Sequence, residues 1–261
     1  LNQYDVAKLV GTAKRMPFGL KIYGESQVGK TTMKNFIIEA TRIALKRGKN
    51  EPALFALSRP GSRDSYDSGL ANQFVYEWDD VLNTTNASPE QDMENLNAIL
   101  DVINTRYAQS PQASLELKGT RVYNPEVVLL ISNKECLPIS HVDRTSYMAA
   151  YNRFNQHICV ESHVDSQGNW IYDIYDMIMD SRQNTFRKGP RMDIQTFLKR
   201  YVARLLDHRS KQDLHQNKVT KTFDTMEELL SSLPVENIGE PHDILCDAGG
   251  EDTPRRSRVA F

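Results

Sequence analysis

Gly24-Glu25-Ser26-Gln27-Val28-Gly29-Lys30-Thr31 is the stretch on which the rest of the chain turns. It fits G-x-x-x-x-G-K-[ST], a loop that cradles phosphates, at every fixed position. Leu20-Lys21-Ile22-Tyr23 ahead of it reads as a short strand. Behind it Met33, Phe36, Ile37, Ala40, Ile43 and Ala44 recur at helical spacing, so the order is strand, loop, helix. Two glycines let the backbone curl until successive N–H groups point inward, and the positive end of the helix adds to that field. The expected nucleotide-binding set is Gly24, Glu25, Ser26, Gln27, Val28, Gly29, Lys30, Thr31 and Thr32. Lys30 would face the β- and γ-phosphates and the Thr31 hydroxyl would bind Mg²⁺.

Working outward, Val6, Leu9, Val10 and Ala13 suggest a helix that Pro17 and Gly19 break before the first strand. The helix after the loop is expected to stop at Gly48. Ala53–Leu57 and Phe74–Trp78 read as the second and third strands, separated by a polar loop from Ser58 to Asn72. Ser88, Pro89 and Gln91 mark a capped helix start, and the apolar stripe runs from Met93 to Tyr107. Val127–Ile131 is apolar throughout, as in a strand buried on both faces. A helix over Tyr147–Phe154 should follow, then strands at His157–Val160 and Trp170–Ile174 and a helix from about Asp193 to His208. Strands alternating with helices behind a phosphate loop imply an α/β fold with a parallel sheet.

Composition sets the bounds. The 261 residues suit one domain of ordinary core size, or one domain plus an appendage. With 39% hydrophobic residues a core can be buried, and a formal charge of -2 gives no chain-wide attraction for nucleic acid. Three scattered cysteines make neither a zinc pattern nor a disulfide framework, which points to a reducing compartment. No signal-peptide pattern or membrane-length apolar run is read here. Beginning at Leu1, the chain reads as a processed product or a piece of a longer one. Residues 1–209 are expected to form the domain and 210–261 a poorly structured tail or linker.

Two strand ends carry the expected chemistry. Asp79 and Asp80 close the third strand about fifty residues after Lys30, where nucleotide hydrolases keep a metal-organising acid. One carboxylate would hold Mg²⁺ and the other would orient or deprotonate the attacking water, with the division of roles open. Asn133 lies just past the Val127–Ile131 strand, where parallel sheets bind ligands, although an Asx turn would equally explain it. Arg153 by itself reads as a solvated helix arginine.

Together these pieces resemble the picornavirus-like branch of the superfamily 3 helicases, AAA+ ATPases of positive-strand RNA viruses. Besides the phosphate loop, the resemblance rests on Pro17-Phe18-Gly19, Ser58-Arg59-Pro60, Tyr66-Asp67-Ser68-Gly69, Gln73, Asp79-Asp80, Ala113–Gly119 and Ile131-Ser132-Asn133. It implies an AAA+ type fold and hydrolysis of ATP with Mg²⁺. Asp79 is the favoured partner of Thr31 at the metal; by the resemblance, Asp79-Asp80 is the family's acidic motif, Asn133 senses the γ-phosphate and Arg153 is an arginine finger acting on a neighbour's ATP. Asn152 stands where many members have a second arginine. Lys118 falls in the segment that contacts RNA. The implied partners are RNA, further copies of the chain in a ring (a hexamer), and other viral replication proteins. Membrane association would be indirect or through sequence outside this piece, at replication sites in the host cytoplasm. No zinc site is expected. A replication-complex scaffold whose ATPase does no unwinding is the alternative. A small-molecule kinase fits less well, since no arginine-rich lid follows Asp80.

Overall fold

The computed structural model describes residues 8–58, 66–79, 88–137, 139–180 and 185–219, together with Glu228 and Ser231. The chain divides into two compact units, Leu1–Thr220 and Lys221–Phe261. Apart from Glu228 and Ser231, the second lies outside the described residues, as do Val6, Arg59, Pro60 and Asp80 from the sequence reading.

The first unit is built on β1 (Phe18–Tyr23), β2 (Leu54–Ala56), β3 (Val75–Asp79), β4 (Val127–Ser132), β5 (Phe154–Val164), β6 (Trp170–Asp180) and β7 (Thr185–Met192). Its helices are α1 (Lys30–Ala44), α2 (Pro89–Val102), α3 (Arg144–Tyr151) and α4 (Ile194–Val219). The strands form one sheet in the order β2-β3-β4-β1-β5-β6-β7. β2 to β5, with β1 among them, run parallel; β6 and β7 continue the sheet antiparallel. The α/β fold with helices over a mostly parallel sheet is the one the phosphate loop implied.

β1 sits in the interior because its alternate residues bury on both faces. Phe18, Leu20 and Ile22 pack with Met33 and Ile37 of α1 and with Phe197, Tyr201 and Leu205 of α4. The other face of the sheet, through Tyr76, Trp78, Val128 and Leu130, meets Leu96, Ile99 and Val102 of α2. Each large apolar side chain so buried contributes about 1.5–3 kcal/mol. The α1–α4 contact also carries a buried bond between the Thr41 and Tyr201 hydroxyls at 2.6 Å.

Several boundaries differ from the sequence reading. Val10 and Ala13 are not helical; they bridge to Tyr107 and Arg106. The same pairing ends α2 at Val102 rather than near Tyr107, because the Thr105 and Tyr107 carbonyls accept from Lys14 and Gly11. Asp143 starts α3 at Arg144 by accepting from the Thr145 and Ser146 amides; the helix ends at Tyr151, and Phe154 belongs to β5. β5 and β6 are 11 residues each. Asp165 steadies the turn between them, accepting from the Gln167 and Asn169 amides at 2.8 Å. β7 was not foreseen at all, since Thr185–Met192 shows no apolar alternation. α4 continues past residue 209 to Val219, tied by Arg209 to Glu126 at 3.0 Å and by Asp213 to Arg15. Among the described residues no helix is long and apolar enough to cross a membrane.

His157 of β5 is buried, stacked on Tyr151 with ring centroids 4.1 Å apart, and its Nδ1 has no partner among the described residues. Burial, with Lys21 adding to it, lowers its pKa from 6.5 to about 3. The folded chain thus keeps the imidazole neutral while the unfolded chain takes up a proton near pH 6.5. Stability is therefore lost as pH falls from there toward 3. Between pH 7 and pH 5 this group should remove about 2 kcal/mol of unfolding free energy. Urea unfolding at both pH values should show that loss in the wild type and its absence in His157→Phe. Equal losses in the two proteins would contradict it.

Candidate nucleotide site

The register of the central strands assembles the site. β1 pairs with β4 so that Tyr23 lies beside Ser132, and β3 pairs with β4 so that Asp79 lies beside Ile131. Gly24, Asn133 and Asp79 therefore reach the same carboxyl edge of the sheet, where ligands of parallel sheets bind.

Within the loop the backbone takes positive φ at Gln27 (67°) and Gly29 (83°). For Gln27 this left-handed conformation is strained, by roughly 1–2 kcal/mol, as is common in loops shaped for a ligand. Gly24 has no room for a side chain; a Cβ would lie 2.6 Å from the Val160 carbonyl oxygen. At Gly29 a Cβ would collide with the ring of Tyr172 from β6. Glu25, Ser26 and Gln27 are exposed at the crest, and Thr31 and Thr32 are exposed on the first turn of α1.

Lys30 reaches back over the loop. Its Nζ donates to the carbonyls of Gly24 (2.8 Å) and Glu25 (2.6 Å) and to Asn133 Oδ1 (2.5 Å). Two residues 103 positions apart, singled out separately in the sequence, are thus in direct contact. Asp79 is half-exposed, with Oδ2 3.3 Å from Lys34 Nζ; Lys34 also lies 2.9 Å from Glu77. Burial opposes the charge on Lys34, but the hydrogen bonds and charges of Glu77 and Asp79 outweigh it and raise its pKa. Lys34 and Glu77 escaped the sequence reading. Their signal was present: Lys34 is one helical turn beyond Lys30, and Glu77 shares a strand face with Asp79. The hard oxygens of Thr31 and Asp79 suit Mg²⁺, which takes few protein ligands and keeps water and phosphate oxygens. Among the described residues no group of three or more His, Cys, Asp and Glu could hold a metal ion.

Two expected residues lie elsewhere. Arg153 occupies the turn before β5, not a helix, and the pairing of Gly19 with Phe154 puts it at the amino end of β1. The length of β1 separates it from the loop, about 20 Å at the usual rise per residue. Arg153 cannot serve the phosphate loop of its own chain. Lys118 is exposed on the turn Ser114–Gly119, where its amide donates to the Ser114 carbonyl at 3.0 Å.

Residues 20–134 match the RNA helicase family model. This stretch is similar to the superfamily 3 helicase domains of RNA viruses. No curated protein matches the chain. The helicase match takes in the phosphate loop, Asp79, Lys118 and Asn133, and it stops short of Arg153 and of β5 to β7.

Gly29→Ala should weaken binding of a fluorescent ATP analogue by about tenfold or more, since a left-handed alanine costs roughly 1–2 kcal/mol before any collision. Adding Tyr172→Ala removes the collision but leaves the φ strain, so it should restore only part of the affinity. Titrations giving wild-type affinity for Gly29→Ala would contradict this account of the loop.

Proposed function

We propose that the chain is an ATP-hydrolysing motor that acts on RNA during viral genome replication. The contact between Lys30 and Asn133 supports this reading most directly, because it brings phosphate lysine and γ-phosphate sensor together at one sheet edge. In this reading the inward N–H groups of the loop hold the phosphates, and Lys30 exchanges its carbonyl partners for the β- and γ-phosphates. Thr31 and Asp79 would hold Mg²⁺, which when bound offsets charge on the phosphates. Asp80 orients or deprotonates the attacking water, and the Asn133 amide reports the γ-phosphate. Arg153 completes the site of the next subunit in a ring, because its own loop is out of reach. Head-to-tail contacts of that kind close into rotational symmetry. Lys118 would contact the RNA backbone, and the role belongs to replication sites in the host cytoplasm, alongside other viral replication proteins.

Mixing two inactive proteins tests the shared site. Lys30→Ala should lose hydrolysis, and Arg153→Ala should bind ATP but hydrolyse it about 10³-fold more slowly. A mixture contains interfaces with an intact Lys30 opposite an intact Arg153, so ATPase activity should partly return. With subunit exchange shown by co-purification of differently tagged chains, no recovery at any ratio would remove Arg153 from the mechanism.

For RNA, Lys118→Ala should leave basal ATPase near wild type and flatten the salt dependence of RNA binding by about one unit of slope. Filter binding at a series of salt concentrations checks it. Unchanged affinity and slope, with no strand displacement by the wild type, would favour an ATPase scaffold of the replication complex.

A further inference from the structure

β1 carries a lysine in an interior strand that is buried from Phe18 to Ile22. Lys21 is 2% exposed, beside Leu130 of β4 and His157 of β5. Its Nζ donates to the carbonyls of Lys134 (2.7 Å) and Glu135 (2.6 Å). Those residues directly follow Asn133 in the loop that leaves β4. The loop is also closed from within, the Lys134 amide donating to Ser132 Oγ at 2.9 Å. An apolar residue would suit the middle of such a strand, and a buried amine costs several kcal/mol unless its hydrogen bonds are met. Here both bonds go to one loop, and that loop holds Asn133 against Lys30.

We infer that Lys21 is a positioning residue for hydrolysis, fixing the loop after β4 so that the Asn133 amide meets Lys30 and the incoming γ-phosphate. The inference rests on the reading of Asn133 as γ-phosphate sensor. It makes β1 act twice: its end forms the phosphate loop, and its middle anchors the loop that inspects the phosphate. Burial lowers the Lys21 pKa to about 7 against the pull of Cys136, Glu135 and Cys159. A neutral amine keeps two N–H donors, enough for both carbonyls, so the anchor survives deprotonation.

The test is a double-mutant cycle with a second readout that needs no nucleotide. Lys21→Met keeps the stem and removes the donors; Lys21→Gln keeps an N–H₂ group on a shorter reach. Lys21→Met should leave KM for ATP within about threefold and lower kcat by about tenfold or more, as small misplacements of catalytic groups do. Lys21→Gln should fall between. In an Asn133→Ala background Lys21→Met should change kcat by less than about twofold, because both act through one group. Amide hydrogen exchange across 133–136 of the ATP-free protein should quicken in Lys21→Met while β4 itself stays protected. Additive losses in the cycle, or an unchanged loop exchange rate, would overturn the inference and leave Lys21 a purely structural residue. Should Asn133→Ala hydrolyse ATP normally, the sensor reading fails instead and takes the catalytic role of Lys21 with it. If Lys21→Met does not fold, Lys21→Gln carries the same cycle.

Discussion

The parallel pairing of β1 with β4 is the constraint from which the site follows. Six residues of each strand match, from Phe18 beside Val127 to Tyr23 beside Ser132, so both chains leave the sheet at one level. A slip by one residue would turn Leu20 and Ile22 away from α1 and α4 and move the phosphate loop relative to Asn133. The buried faces forbid that slip. Apolar packing far below the site thus sets the distance between Lys30 and Asn133, and β3, matched to β4 in the same way, delivers Asp79.

Around that edge three lysines are placed in different surroundings. Lys30 lies on carbonyls and an amide at the mouth of the loop. Lys34 is held by Glu77 and Asp79 just beneath. Lys21 is sunk in the sheet with carbonyl partners. Lys34 has the buried carboxylate of Glu77 in contact, and breaking such a buried pair from one side is strongly destabilising, by about 3–5 kcal/mol. The interior therefore commits charge to fixed places before any anion arrives, and the site need not reorganise much to receive one.

What could be read in the sequence was what is local. Gly24–Thr31 announces itself because loop, strand and helix are contiguous, and Asp79 and Asn133 because each ends an apolar run. Lys21 was opaque for the opposite reason: its partners lie 113 and 114 residues away. A lysine within a strand or helix reads as solvated until the neighbours are known. Val10 and Ala13 kept a helical spacing that pairing with Tyr107 and Arg106 overrode. β7 has no pattern of its own; its ladder with β6 makes it a strand. The position of Arg153 at the far end of β1 needed the register of β5, which no local pattern contains.

The seven-stranded sheet also has two outer strands, whose outward N–H and C=O groups would accept another strand. One of them, β2, is only three residues long. The other, β7, carries Arg187, Lys188, Gly189, Pro190 and Arg191, a run of like charge broken by a residue without an N–H. A foreign strand docking there would meet repulsion and a missing donor, and on β2 it would find too few bonds to hold it. Both edges of this sheet therefore resist extension by a second sheet.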